Sequence, residues 1–162
     1  GLIAQAGRAL VYGGGHVGLM GAVARAAHAG GGPIIGVIPH ALRDLELAFA
    51  DCDELIVTED LRARKAVMFN RSSAFIALPG GFGTLEEMIE VLTLKQLSMH
   101  DKAMVFLNVD GFYDPLVTLF EHFYVHRFAK PIRDLYHIAT APEDAMAYIE
   151  TYQPAPIDQK WY

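Results

Sequence analysis

Ala74-Phe75-Ile76-Ala77-Leu78-Pro79-Gly80-Gly81-Phe82-Gly83-Thr84-Leu85-Glu86-Glu87 is the stretch from which the fold reads. Its first five residues form a short apolar run, a glycine-rich turn follows, and from Thr84 helix-forming residues take over. An unbroken apolar run is how a strand buried on both faces of a parallel sheet reads. Outward from it the same alternation recurs. Strands are expected at Arg8–Tyr12, Ile34–Ile38, Glu54–Thr58, Ala74–Leu78, Ala103–Asn108 and Tyr136–Thr140. Helices are expected at Val17–Ala29, Glu59–Arg71, Thr84–His100, Pro115–Arg127 and Pro142–Tyr152, with Pro115 and Pro142 suited to first-turn positions. Such alternation defines an α/β fold, a three-layer sandwich around a mostly parallel central sheet. Residues 1–152 read as a single Rossmann-like nucleotide-binding domain and 153–162 as an irregular tail, whose Trp161 and Tyr162 either dock on a partner or fray. Gly1 to Gly7 reads as a helix end closed by glycine, so a first strand and most of a helix are expected to be missing upstream.

The chain has 162 residues, 52% apolar and 20% charged, with a net charge of −6. That composition excludes disorder and offers no run of about 18 apolar residues to span a membrane. The acidic balance opposes nucleic-acid binding, which relies on Lys and Arg meeting phosphates. A single cysteine, Cys52, excludes a disulfide framework and a cysteine-based zinc site. A cytoplasmic location is the expectation.

Ligands of α/β folds sit at the carboxyl ends of strands, and two of those ends here carry glycine loops. Tyr12 leads into Gly13-Gly14-Gly15-His16-Val17-Gly18-Leu19-Met20-Gly21. These letters fit a dinucleotide fingerprint, but the next strand ends at Ile38-Pro39-His40 without the acidic residue that would hold a ribose. The alternative is a tight turn whose glycines serve packing. The second loop, Pro79 to Thr84, could cradle a phosphate on successive N–H groups and the Thr84 hydroxyl. It is no Walker A loop, because no Lys-Ser/Thr pair follows the glycines. Glu87 has a structural reading too, since Thr84-x-x-Glu87 is a capping-box pattern.

Pro79-Gly80-Gly81-x-Gly83-Thr84-x-x-Glu87, preceded by Arg64-Lys65-x-x-Met68, resembles the LOG ("Lonely guy") family, often labelled possible lysine decarboxylase. Gly13-Gly14-Gly15-x-x-Gly18-Leu-Met-Gly21, Gly36-Val-Ile-Pro39, His100-Asp-Lys102 and Leu107-Asn-Val-Asp-Gly111-Phe-Tyr113 are similar to further family segments, so the resemblance spans about residues 1–140. It implies a Rossmann-like homodimer that hydrolyses the N-glycosidic bond of AMP or N6-prenyl-AMP. It places catalysis on Arg64 and Glu87, and substrate contacts on Glu46, Lys65, Gly80, Gly81, Phe82, Gly83, Thr84, Leu85, Glu86 and Thr93. Gly14 and Gly15 join the substrate-binding set through the first loop. Ser73 and Arg62 depart from the family pattern, where Asp and His are usual. No cofactor and no metal are expected. His122 and His126 have ligand-like spacing but no third ligand in view, and no constellation for pyridoxal phosphate stands out.

The chemistry agrees with these residue types. Cleavage at C1′ develops oxocarbenium character, which a carboxylate can stabilise while orienting water. A permanently charged guanidinium can bind phosphate or ribose oxygens. The rival reading is a binding module such as a molybdenum-cofactor carrier, which has no need of an Arg64/Glu87 pair. Met88, Val91, Leu92 and Leu94 crowd apolar surface on one helix, which points to a twofold dimer through it.

Overall fold

The computed structural model describes residues 1–45, 48–132 and 134–155. Its contacts divide the chain into two compact units, Gly1–Ser72 and Ser73–Tyr162. Each is built on a three-stranded parallel sheet, as the α/β reading expects.

In the first unit, α1 (Leu2–Gln5) ends at Gly7, whose φ of 65° lets its N–H reach back to Ala4. β1 (Leu10–Tyr12) is followed by α2 (Gly18–Ala29), β2 (Ile34–Pro39), a short α3 (His40–Arg43), β3 (Glu54–Thr58) and α4 (Leu61–Arg71). The strand order is β1-β2-β3, with Leu10 beside Ile34 and Ile35 beside Glu54. Leu10, Tyr12, Ala24, Ala27, Ile34 and Phe49 form the core between sheet and helix. Alanines on α2 let it lie close to the strands. Asp53 accepts the Ile34 N–H at 2.8 Å, at the start of the central strand β2. Glu54, the first residue of β3, pairs with Arg71 at 2.5 Å on the surface.

The second unit contains β4 (Ala74–Ala77), α5 (Phe82–Gln96), β5 (Ala103–Leu107), a single 3₁₀ turn (Val109–Gly111), α6 (Asp114–Val125), β6 (His137–Ala139) and α7 (Pro142–Thr151). The order β4-β5-β6 puts β5 in the middle, and all five of its residues are buried. That is the physical reason it reads as an unbroken apolar run. Val105, Leu107, Ala139 and Ala145 form one core cluster, with Ile76 and Ile149 packed against it.

Two expectations need correction. The first is α3, which the expected helices do not include; Pro39 leads into a single helical turn with no side-chain cap, too short to show periodicity. The second concerns α5. It starts at Phe82 and not at Thr84, and its N-cap is Gly81. Thr84 therefore occupies the third helical position, and the Thr84/Glu87 capping box does not form, because a box requires Thr84 itself to be the cap. No described helix is long and apolar enough to cross a membrane.

Candidate active site

The first glycine loop is occupied by its own chain. Gly13, Gly14 and Gly15 are all buried. Gly14 has φ +74°, and a Cβ there would stand 3.1 Å from Ile38 Cβ and 3.3 Å from the Val37 nitrogen. Its carbonyl accepts the Phe49 N–H at 2.8 Å, and Gly15 bridges to Ala48. Gly36 is glycine for the matching reason: a Cβ on β2 would meet Gly14 Cα at 3.1 Å and Cys52 Sγ at 2.9 Å. Cys52 lies 3.8 Å from the Tyr12 hydroxyl, and burial pushes both the thiol and the phenol up from their ordinary pKa values.

Arg64 reaches this loop. Asp60 caps α4 by accepting the Ala63 N–H at 2.8 Å, and the Thr58 hydroxyl donates to the Asp60 carbonyl. These bonds fix where the helix starts. Arg64 then projects its guanidinium over Gly13: a Cβ on Gly13 would collide with Arg64 Nη2 and lie 3.0 Å from Cζ. The structure thus brings together two motifs that are far apart in sequence. Lys65 is half-buried beside it, and Arg62 is exposed.

The second loop differs. Gly80, Gly81 and Gly83 are exposed, and a Cβ on Gly81 or Gly83 would meet nothing within 4 Å. Gly80 alone is sterically required, since a Cβ there would collide with Thr84 Oγ1 and stand 2.8 Å from Thr84 Cβ. The Thr84 side chain therefore folds back over the loop. With Gly81 as N-cap and no side chain capping it, the first-turn amides of α5 head this loop. Along α5, Met88, Val91 and Lys95 are buried. Glu87 precedes Val91 by one turn, so it shares that side and is half-buried, whereas Glu86 and Leu85 are exposed. The Thr93 hydroxyl donates to the Ile89 carbonyl at 2.7 Å, back onto its own helix. Glu46, expected to contact substrate, lies outside the described residues, as do Trp161 and Tyr162.

Tyr113, the last residue of a segment similar to the family's, has a role its motif does not announce: its hydroxyl donates to the Leu78 carbonyl at 2.6 Å, at the entrance of the second loop. Lys95 belongs to none of the sequence motifs. It is 1% exposed, donates to the Asp134 carbonyl at 2.8 Å and lies 4.8 Å from the Tyr152 ring. Burial lowers its pKa to about 8. Only its position on the buried helical face, four residues after Val91, could have revealed it. The His122 and His126 rings lie 4.2 Å apart, and among the described residues no three His, Cys, Asp or Glu side chains are grouped to hold a metal.

These features define an α/β protein of parallel sheets with two glycine turns, one packed at Gly13 and Gly14 and one open at Gly81 and Gly83. The sequence pattern of the family described as "Possible lysine decarboxylase" matches residues 20–149, and the chain belongs to that family, the one its motifs resemble. It is 45% identical over 146 residues to a probable cytokinin riboside 5′-monophosphate phosphoribohydrolase of Oryza sativa subsp. japonica, covering 90% of this chain and 60% of that one. It is 44% identical to a cytokinin riboside 5′-monophosphate phosphoribohydrolase of Arabidopsis thaliana, over 90% of this chain and 64% of the relative. The chain therefore spans less than two thirds of the length of these two relatives. Among solved structures it is similar to the molybdenum cofactor binding protein of Rippkaea orientalis, with TM-score 0.69 and 26% identity over 92% of this chain and 80% of that one. The molybdenum cofactor carrier protein of Chlamydomonas reinhardtii gives TM-score 0.68 and 26% identity, over 92% and 79%.

Proposed function

We propose that this chain is a nucleotide phosphoribohydrolase, cleaving the N-glycosidic bond of AMP or N6-prenyl-AMP to give free base and ribose 5-phosphate. The observation that carries the proposal is the start of α5 at Phe82. It leaves Glu87 without the end-capping role that its sequence spacing offered, beyond the first turn of a helix headed by open glycines. The 44–45% identity to relatives named for this reaction supports it.

In this reading the 5′-phosphate is held by N–H groups of Gly80, Gly81, Gly83 and Thr84, where a helix N-terminus offers unpaired donors and partial positive charge. Holding the phosphate fixes the sugar. Glu87 then stabilises positive charge developing at C1′ and orients the attacking water. Arg64 contributes a rigid two-pronged donor for phosphate or ribose oxygens, which an ammonium does not reproduce. Lys65, Glu86, Thr93, Glu46, Gly14 and Gly15 complete the proposed substrate contacts.

A twofold homodimer belongs to the same proposal. Met88 and Val91, first read as surplus apolar surface, are 6% and 8% exposed, so they do not contribute to it. The outer face of α5 does: Phe82 is 93% and Leu85 36% exposed, and Ile89 and Leu92 continue the same stripe half-buried.

A second reading, a phosphate-ligand carrier, is favoured by the likeness to the two molybdenum-cofactor proteins. One assay separates the two. Incubation with AMP and with N6-prenyl-AMP should release free base and ribose 5-phosphate, and Arg64→Lys should lose most of that turnover. Binding of either nucleotide without base release would favour the carrier.

A further inference from the structure

We infer that Tyr113 is a positioning residue, holding the entrance of the second glycine loop so that its amides converge on a nucleotide phosphate; the inference rests on the phosphoribohydrolase reading of that loop.

The segment Asn108-Val109-Asp110-Gly111-Phe112-Tyr113 is organised around this one hydroxyl. Asn108 is 8% exposed and bonds through its backbone N–H and both ends of its side-chain amide. Its backbone N–H donates to the Ala139 carbonyl at 2.7 Å, its Oδ1 accepts the Tyr113 N–H at 2.6 Å, and its Nδ2 donates to Asp114 Oδ1 at 2.7 Å. The chain reverses through two left-handed residues, Asp110 at φ 52° and Gly111 at φ 73°. Gly111 is sterically required, because a Cβ would stand 2.6 Å from Asp114 Oδ2. This turn delivers the Tyr113 ring edge-on to Phe106, with centroids 5.2 Å apart, and to Phe112 at 5.0 Å.

The ring is thereby fixed, and its hydroxyl donates to the Leu78 carbonyl at 2.6 Å. Tyr113 is 6% exposed, so the bond is shielded from water, and burial keeps the phenol protonated as a donor. Leu78 is the residue before Pro79-Gly80. Proline has no N–H, so the peptide joining Leu78 to Pro79 has no donor of its own to anchor it. The direction of the Leu78 carbonyl sets the direction in which the chain enters the loop. Tyr113 controls that direction from another element without needing to touch the ligand.

The test is Tyr113→Phe, which keeps the ring and removes one hydroxyl. Affinity for AMP and for inorganic phosphate, measured by calorimetry, should fall about tenfold, the scale of one lost hydrogen bond, while affinity for adenosine stays within about twofold because adenosine has no phosphate to misplace. With AMP as substrate, KM should rise by more than kcat falls. Unchanged AMP affinity overturns the inference. Equal weakening of AMP and adenosine also overturns it, since it makes the bond general scaffolding. If Tyr113→Phe does not fold, Asn108→Ala decides, because it removes the acceptor that seats the Tyr113 N–H and leaves the Leu78 carbonyl untouched. A phosphate-selective loss there supports the positioning role, and none overturns it. Wild-type protein that binds phosphate through a Tyr113-dependent loop but releases no adenine from AMP removes the hydrolase reading and leaves Tyr113 in place.

Discussion

The two glycine loops are spelled almost alike, yet Gly13 and Gly14 of the first and Gly81 and Gly83 of the second are physically opposite. In the first, Gly13 makes room for the Arg64 guanidinium and Gly14 for β2, and both are buried. In the second, Gly81 and Gly83 are exposed and border open space. At Gly13 and Gly14 glycine lets the chain approach itself, and at Gly81 and Gly83 it borders open space, where the proposal puts the phosphate. The contrast shows why a glycine fingerprint read by letters is weak: only the surroundings of each missing Cβ separate packing from binding.

The sharpest way to break this contrast is to add a methyl group to each loop. Gly14→Ala places a side chain at φ +74° against Ile38 and Val37. It should cost about 2 kcal/mol or more of stability, visible as a lower urea midpoint. A midpoint unchanged from wild type would show that the first loop has slack and is not packed as described.

Gly83→Ala should act in the reverse sense. It stands at a helical position with open space, so stability should hold or rise by up to about 1 kcal/mol. The added methyl intrudes where the phosphate is proposed to lie, and AMP affinity should fall about tenfold, as for loss of one charge-assisted hydrogen bond. Full AMP affinity in a folded Gly83→Ala would move the phosphate elsewhere.

The smallest effect sharpens the comparison at the far end of α5, away from the open loop. Lys95 has its pKa lowered to about 8 by burial. Between about pH 8 and its unfolded value near 10.4, the unfolded chain holds the extra proton, so stability should rise with pH. Above pH 10 the trend should reverse, because burial raises Tyr136, Tyr12 and Tyr148, the last to about 12. On the acid side, His100 acts in the same sense as Lys95. Its Nε2–H donates to the Val91 carbonyl at 2.8 Å and its Nδ1 accepts the Lys102 N–H at 3.1 Å, an arrangement only the neutral ring can make. Burial lowers its pKa, so stability should fall as pH drops below about 6.5, where the unfolded histidine protonates. Melting temperature followed against pH checks both limbs, and Lys95→Met should flatten the rise above pH 8.

Much of the fold was legible because burial on both faces leaves an unmistakable trace. β5, wholly buried, reads as apolar from Ala103 to Leu107 and was located within a residue of its end. β3 matched at both ends because turn and capping residues bound it. The start of α5 was misplaced because Thr84-x-x-Glu87 satisfies a capping pattern locally, while the cap is a glycine with no side chain to announce itself. Arg64 and Glu87 were named through motif resemblance; their spacing alone carried no such signal. The approach of Arg64 to Gly13, and that of Tyr113 to Leu78, are long-range contacts, which local periodicity does not encode. Lys95 was missed because a fully buried lysine runs against every compositional expectation.

The most direct measurement is adenine release from AMP by wild type and by Glu87→Gln, with folding of both verified. Gln keeps the shape of Glu and removes its charge. If the open loop and its helix carry the chemistry, turnover should fall about 100-fold or more, with AMP affinity nearly unchanged because the loop amides are intact. Equal turnover by the two proteins would contradict the account and leave Glu87 with a structural role only.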